Sequence, residues 1–240
     1  MVLRYVKKIA AFFVMEIRRY HGILNNEVSY RRGITSKFEY RLLKKYLKKS
    51  HDFGTRGFYQ NYPALDISGS RPCIGRYHTY DLASILKPNF DVLDIGGNVG
   101  FFSLHISAEV KTITIVEYNN VCAEIFEIVR SKEHIDNVSM HIGDFKTWNR
   151  DDSLRYDLVL SLAIHKWIGM DIQSYLARLH RLLNPNGLLL IESHHQADKT
   201  HLQNEVENAT EIFEIIRTGL SDDNGGKTRL FYLLRARVTR

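Results

Sequence analysis

The sequence predicts an α/β fold, with a parallel sheet that carries helices on both faces and ends in an antiparallel hairpin. Three observations predict this class. From Phe90 onward, short apolar runs alternate with longer helical stretches, which is typical of right-handed βαβ units. A glycine-rich segment directly follows the first of these runs. Two strand-like runs joined by turn-forming residues lie near the end of the chain, as in a β-hairpin.

The individual elements follow in chain order. Five apolar runs predict the parallel strands: Asp91–Ile95, Thr112–Val116, Val138–Ile142, Tyr156–Leu162 and Leu188–Ile191. Four longer stretches predict helices: Val99–Ala108, Asn119–Ser131, Ile172–Leu183 and Lys199–Asn208. The hairpin strands are predicted at Glu211–Arg217 and Arg229–Arg235, with Ser221–Lys227 as the turn.

Composition excludes several classes of protein. Of 240 residues, 44% are hydrophobic and 25% are charged, close to the globular average and unlike a disordered tail, a fibre or a membrane channel. Two cysteines, Cys73 and Cys122, are too few for a disulfide framework and are not clustered as in a zinc site. We therefore predict a reducing, cytoplasmic setting and no metal centre.

The positive charge is concentrated at one end of the chain. Residues 1–60 contain 14 Lys and Arg against 4 Asp and Glu, a net charge of +10. Residues 61–240 contain 19 against 23, a net charge of −4. The sequence thus predicts a basic N-terminal extension over 1–60 and a mildly acidic domain over 61–240 with a different task.

The extension is predicted to contain two basic helices, over the first 19 residues and over 37–49. On the first helix, apolar side chains fall on one face and basic side chains on the other. Such a helix can bind an anionic membrane surface, or its apolar stripe can pack on the protein itself, and the sequence allows both. Its longest apolar run, Ile9–Met15, is far shorter than the roughly 20 residues of a membrane span.

Three strand ends carry residues suited to a nucleoside ligand. The first strand runs into Asp94-Ile-Gly96-Gly97-Asn98-Val-Gly100, whose glycines permit a tight turn and close approach of a ligand to the backbone. Glu117 closes the second strand, where a carboxylate can accept hydrogen bonds from ribose hydroxyls. Asp144 and Phe145 follow the third strand and offer a carboxylate and an aromatic ring to an adenine.

Together with the closing hairpin, these motifs resemble those of class I S-adenosylmethionine-dependent methyltransferases over about residues 76–236. The resemblance implies the Rossmann-like, seven-stranded sheet of that family and S-adenosylmethionine as cofactor. It implies that four loop residues surround the methionine part of the cofactor: Asp94, Gly96, Asn98 and Gly100. It also implies that Glu117 binds the ribose and that Asp144 and Phe145 flank the adenine. Asn98 stands where many members have glycine, and asparagine tolerates the same unusual backbone angles.

Residues after the fourth and fifth strands are candidates for the acceptor site. His165, Lys166 and Trp167 place a base, a cation and a large aromatic ring at one strand end. His194 follows the fifth strand and is a second candidate base, with Glu192 as its possible partner. The Lys166-Trp167-Ile168 run also resembles methyltransferases that cap RNA 5′-phosphates, although Gly169 replaces the histidine that follows in that family.

A loop before the first strand is a candidate anion clamp. It is rich in Gly, Ser and Pro and contains Arg71, Arg76 and Tyr77. We predict that this loop touches the cofactor carboxylate or the acceptor through one or more of these three residues, and the sequence does not select which. Guanidinium groups bind carboxylates and phosphates with two parallel hydrogen bonds. Alternatively, Arg71 fastens the loop by pairing with Asp66.

The sequence therefore predicts an enzyme that transfers a methyl group to oxygen on an anionic acceptor. We expect a glycan, such as a surface polysaccharide, or a lipid-linked glycan, with the enzyme peripheral to the membrane. In one alternative, the protein is an RNA methyltransferase whose basic extension contacts phosphates. In the other, it is a non-catalytic module with a methyltransferase fold.

Overall fold

The structure, a computed structural model, describes residues 37–49, 57–149, 153–194, 199–222 and 228–238. These residues form two compact units, the first ending at Ser70 and the second beginning at Arg71. The helix predicted over residues 1–19 and most of the predicted hairpin turn lie outside the described residues. No helix within the described ranges is long and apolar enough to cross a membrane.

The described part of the first unit contains the second of the two predicted basic helices, α1 (Lys37–Lys49), and the short strand β1 (Phe58–Gln60). Strand β2 (Gly69–Arg71) crosses the boundary, with Arg71 as the first residue of the second unit. Three apolar side chains of α1 are buried, Leu42, Leu43 and Tyr46, and the ring centroids of Tyr46 and Phe58 are 4.9 Å apart. Glu39 on the same helix accepts a hydrogen bond of 2.9 Å from the backbone N–H of Ser68. The helix predicted over 37–49 is thereby confirmed.

The second unit is built on a seven-stranded sheet in the order β5-β4-β3-β6-β7-β9-β8. Its strands are β3 (Asp91–Ile95), β4 (Thr112–Glu117), β5 (Val138–Ile142), β6 (Tyr156–Leu162), β7 (Leu183–Glu192), β8 (Phe213–Asp222) and β9 (Thr228–Ala236). The strands from β3 to β7 pair in parallel, whereas β9 pairs antiparallel with both β7 and β8. The predicted parallel sheet with a closing hairpin is thus confirmed.

Among the described residues, six α-helices accompany the sheet: α2 (Cys73–Thr79), α3 (Phe101–Ile106), α4 (Asn120–Lys132), α5 (His165–Ile168), α6 (Ile172–Arg181) and α7 (Lys199–Asn208). The main differences from the sequence prediction are at element ends. Helix α3 is shorter than predicted and continues into a 3-10 turn over Ser107–Glu109. Strand β7 begins before the Asn-Pro-Asn-Gly segment, because Tyr156 pairs with Leu183 across a register shift.

The strand order places the functional loops at one edge of the sheet. From β3 the chain moves outward through β4 and β5, then returns to the other side of β3 to form β6 and β7. This reversal is a topological switch point, and open α/β sheets bind ligands beyond the carboxyl ends of the strands at such a point. Asp94 on β3 is in register with Ile115 on β4 and Leu160 on β6, so the following loops converge.

Candidate active site

The loop after β3 is shaped by its glycines. Gly96, Asn98 and Gly100 have φ angles of 68°, 57° and 74°, in the left-handed region that favours glycine and tolerates asparagine. A Cβ atom on Gly96 would lie 2.4 Å from Cγ1 of Ile164, in the loop that follows β6. The absence of a side chain at Gly96 therefore lets the β6 loop pack directly on the glycine loop.

Asp94 lies just before this loop and is almost completely buried, with 3% of its surface exposed. The hydroxyl of Ser103 on α3 donates a hydrogen bond of 2.6 Å to its Oδ2. Burial raises the pKa of Asp94 to about 6, although the Ser103 bond and the charge of Arg76 act in the opposite direction. The first predicted cofactor residue is therefore a carboxylate in a poorly solvated position.

Glu117 closes β4 and ties two loops together. Its Oε2 accepts from the backbone N–H of Asn98 and its Oε1 from that of Asn119, both at 2.9 Å. Burial raises the pKa of Glu117, against the lowering effect of these backbone bonds. The buried side-chain oxygen of Asn98 has no hydrogen-bond partner among the described residues, so this position can accept a bond from a ligand.

Asp144 and Phe145, predicted to flank the adenine, have different surroundings. Asp144 is partly exposed and accepts a bond of 2.9 Å from the N–H of Lys146. Phe145 is only 3% exposed and packs in the core, with the Arg178 guanidinium 4.4 Å from its ring centroid. Its ring is thus enclosed by protein and is not presented to a ligand, which differs from the sequence expectation.

Tyr118 is an exposed aromatic residue that the sequence reasoning missed. It directly follows Glu117, and 78% of its surface is exposed. The sequence does contain a signal for Tyr118, because it directly follows the last residue of a predicted parallel strand. Open α/β sheets bind ligands beyond the carboxyl ends of such strands. Tyr118 therefore offers an aromatic surface where Phe145 does not.

The predicted acceptor residues meet after β6 and β7. Helix α5 carries His165 with 5% exposure, Trp167 with 72% exposure, and the exposed Lys166 between them. The Trp167 ring lies edge to face with His194, with centroids 5.5 Å apart. Ile164, which directly precedes His165, packs on Gly96. The predicted acceptor residues of α5 therefore follow immediately after the contact with the glycine loop.

Glu192 has partners other than His194. This carboxylate at the end of β7 lies 3.0 Å from Arg71 and accepts a bond of 2.6 Å from the Tyr80 hydroxyl. Ser221 also donates to it, and Arg229 lies 3.7 Å away. Burial alone would raise the pKa of Glu192, but these charges and hydrogen bonds bring it below its usual value.

The predicted anion clamp is engaged within the protein. Arg71 is 1% exposed and pairs with Glu192, not with Asp66 as the alternative expectation had it. The guanidinium of Arg76 is also buried and lies 4.1 Å from the ring centroid of Phe102. Tyr77 donates a bond of 2.6 Å to Glu109, which raises the pKa of Tyr77 to about 12. These contacts connect the segment from Arg71 to Tyr77 to the rest of the second unit.

A cavity of about 400 Å³ lies beside the acceptor residues and is lined by His165 and Lys166. The turn between α5 and α6, the first turn of α6 and two side chains of α7 complete its wall. A volume of this size falls in the range of small-ligand pockets. The buried His165 ring thus lies at the wall of a space that a ligand can enter.

A family model described as a methyltransferase domain matches residues 53–218. The chain belongs to this family. The topology and the order of motifs at the strand ends make it a class I S-adenosylmethionine-dependent methyltransferase, as the sequence predicted. It is an enzyme, and S-adenosylmethionine is its cofactor. The local resemblance to RNA-capping enzymes around Lys166 stays a prediction.

Solved structures share this fold at low sequence identity. An rRNA methylase from Streptococcus thermophilus has a TM-score of 0.56 at 11% identity, covering 68% of this chain and 97% of its own. The N-methyltransferase NodS from Bradyrhizobium japonicum has a TM-score of 0.56 at 14% identity, covering 68% and 96%. A tRNA m1G37 methyltransferase from M. jannaschii has 0.52 at 11%, covering 70% and 50%. Such identities show the fold alone, and no curated protein matches the methyltransferase significantly.

The residues at the carboxyl edge of the sheet fit the cofactor. The side-chain oxygen of Asn98 is buried and without a partner among the described residues, and the carboxylates of Asp94 and Glu117 flank the same loop. S-adenosylmethionine carries a sulfonium and an ammonium group, which buried carboxylates attract. The cofactor supplies an activated methyl group and its own leaving group, so the protein needs mainly to position the acceptor.

Proposed function

We propose that this methyltransferase transfers the methyl group to an oxygen atom of an anionic acceptor, on a glycan or a lipid-linked glycan. The observation that supports this proposal is the packing of Ile164 on Gly96. That contact sets His165, Lys166 and Trp167 at the edge of the glycine loop, where the donor methyl group is expected. A base, a cation and an aromatic face at that place suit a hydroxyl acceptor that bears a negative charge nearby.

The proposed cofactor residues follow the strand ends. Asp94, Gly96, Asn98 and Gly100 surround the methionine part, and Glu117 accepts hydrogen bonds from the ribose. Each oxygen of Glu117 already accepts one backbone bond and has a second lone pair for a hydroxyl. Asp144 lies at the edge of the adenine.

On the acceptor side, Lys166 holds the negative charge of the acceptor, and a neutral His165 removes the proton of the attacking hydroxyl. The imidazole suits this task because its ordinary pKa lies near neutrality. His165 lines the cavity with both ring nitrogens buried, so in this proposal the ring turns toward the acceptor to take the proton. His194, edge to face with Trp167, is the second candidate for the base.

An RNA acceptor is the second candidate function. It is supported by the net charge of +10 over residues 1–60 and by the exposed Arg41 on α1. The rRNA and tRNA methyltransferases among the similar structures are consistent with it. RNA affinity would then fall steeply with salt, because counterions are released on binding.

The alternative role of the basic extension, binding to a membrane surface, predicts instead that vesicles of anionic lipid bind the full chain.

A screen with radiolabelled S-adenosylmethionine against separated glycan, lipid, RNA and protein fractions tests this proposal. We expect label to enter the glycan or lipid-linked glycan fraction, in an alkali-stable form typical of an ether. Lys166→Ala should lower the rate at least about tenfold, since it removes a charge-assisted contact.

Lys87→Ala is the matched control, because this exposed lysine lies before β3, at the opposite end of that strand. Label in the RNA fraction alone would replace the glycan proposal with the RNA one. A wild-type enzyme that binds S-adenosylhomocysteine but labels no fraction would support the non-catalytic alternative.

A further inference from the structure

We infer that the cavity beside His165 and Lys166 binds an anionic carbohydrate ring of the acceptor. This inference rests on the proposed methyl transfer to a glycan and names the part of the acceptor that the cavity recognises. The cavity volume of about 400 Å³ is large enough for a sugar ring with its substituents.

The wall of the cavity combines apolar and polar side chains. Met170 and Ile172 are half-buried, pack against the core and provide an apolar surface. Asp171, Gln173 and Glu205 add two carboxylates and an amide around it. A sugar ring also has apolar and polar parts, namely its C–H faces and its rim of hydroxyls. Carboxylates and amides form hydrogen bonds with such hydroxyls.

The polar groups are held in place before any ligand binds. Gln173 donates from its amide nitrogen to the side chain and, at 3.3 Å, to the main-chain oxygen of Glu205, which joins α6 to α7. His201 lies one helical turn before Glu205, with 3.9 Å between Nδ1 and Oε1. Asp171 caps α6 by accepting a bond of 2.8 Å from Ser174. Fixed polar groups reduce the entropy that a ligand loses on binding.

The charges favour a carbohydrate with few negative groups over an RNA chain. Lys166 lines the cavity together with the carboxylates of Asp171 and Glu205. A single carboxylate or phosphate on a sugar can pair with Lys166 while its hydroxyls face the two acids. A chain of phosphates would meet these acids along its length, in a domain whose residues 61–240 have a net charge of −4.

Saturation-transfer NMR on the full chain tests this inference, with glucuronic acid, glucose 6-phosphate, glucose and decauridylate as probes. We expect transfer to the ring protons of all three sugars, stronger for the two anionic ones. The double variant Gln173→Ala/Glu205→Ala should weaken the transfer about fivefold, which corresponds to the loss of one or two hydrogen bonds. Lys166→Ala should remove only the preference for the anionic sugars.

Gln203→Ala is the matched control, since Gln203 is exposed on the same helix as Glu205, bonds only to Glu207 in the described structure and does not line the cavity. Absence of transfer to any sugar, or transfer unchanged in the double variant, would overturn the inference. Stronger transfer to decauridylate than to the sugars, lost in the same variant, would assign the cavity to RNA. Calorimetry with S-adenosylhomocysteine keeps the two proposals apart, because cofactor binding and methyl transfer can fail while sugar binding persists.

Discussion

Asp94 and Glu192 are two buried carboxylates near the carboxyl ends of their parallel strands, yet the groups that surround them have opposite effects on their pKa values. Asp94 on β3 accepts a bond from the neutral hydroxyl of Ser103, and burial raises its pKa to about 6. Glu192 on β7 is paired with Arg71 and has Arg229 nearby, so its pKa lies below the usual value despite burial. The two side chains are buried to a similar extent, so the difference between their pKa shifts comes from the groups that contact them.

This difference separates the half of the site that we propose to bind the cofactor from a half whose charges are balanced within the protein. The positive charge that compensates Glu192 comes from Arg71 of the same chain. Glu192 thereby connects β7 to the segment just before α2 through Arg71, and to the hairpin through Ser221. At Asp94, the positive charge of Arg76 offsets only part of the pKa increase that burial causes. The neighbouring Glu117 also has a raised pKa. A cation brought by a ligand would stabilise the ionised form of these two carboxylates, which is the charge that S-adenosylmethionine provides.

The largest expected effect is on the Glu192 side. Arg71→Ala leaves a buried carboxylate with incomplete compensation, which typically costs about 3–5 kcal/mol of unfolding free energy. Urea unfolding at neutral pH measures it. Lys111→Ala serves as control, because its ion pair with Asp91 is exposed and should contribute almost nothing. Equal losses in the two variants would show that Arg71 and Glu192 do not form a stabilising buried pair.

The Arg71–Glu192 pair also shows where sequence reasoning ends. The glycine loop, Glu117 and the alternation of strands and helices are encoded in short local patterns, which is why they could be predicted from the chain alone. Arg71 and Glu192 are 121 residues apart, and no local pattern links them. Phe145 shows a related limit, because the motif fixes its position after β5 but does not reveal that its ring packs in the core.

A smaller effect is expected at Asp94, and it depends on pH. The native pKa of about 6 lies above that of the unfolded chain, so the native state retains a proton that the unfolded state releases near pH 4. The stability associated with Asp94 is therefore fully present below pH 4 and is lost as the pH rises to about 6. Asp94→Asn should remove this loss and gain about 1–3 kcal/mol at pH 7.5 relative to pH 4.

Urea unfolding at the two pH values measures this change, and Asp91→Asn is its control. Asp91 has a lowered pKa because of its bonds to Thr112 and Lys111, so its contribution has the opposite sign and is lost as the pH falls. A pH dependence at Asp94→Asn identical to that of the wild type would contradict the raised pKa. Weaker binding of S-adenosylmethionine by the same variant would link the carboxylate to the cofactor.

The smallest effect on stability is expected at Trp167, an exposed side chain that we propose to be part of the acceptor site. The chain has two tryptophans, and Trp167 is 72% exposed whereas Trp148 is 8% exposed. Trp167→Phe should change the unfolding free energy by less than about 0.5 kcal/mol, as surface substitutions generally do. It should nevertheless remove the red-shifted emission that acrylamide quenches, leaving the blue-shifted emission of Trp148.

If an acceptor sugar packs on the Trp167 ring, it will protect the wild-type emission from quenching by acrylamide. Protection that persists in Trp167→Phe would place the ligand elsewhere. An exposed side chain such as Trp167 can thus be replaced at almost no cost in folding, whereas Glu192 cannot lose Arg71 without a loss of stability.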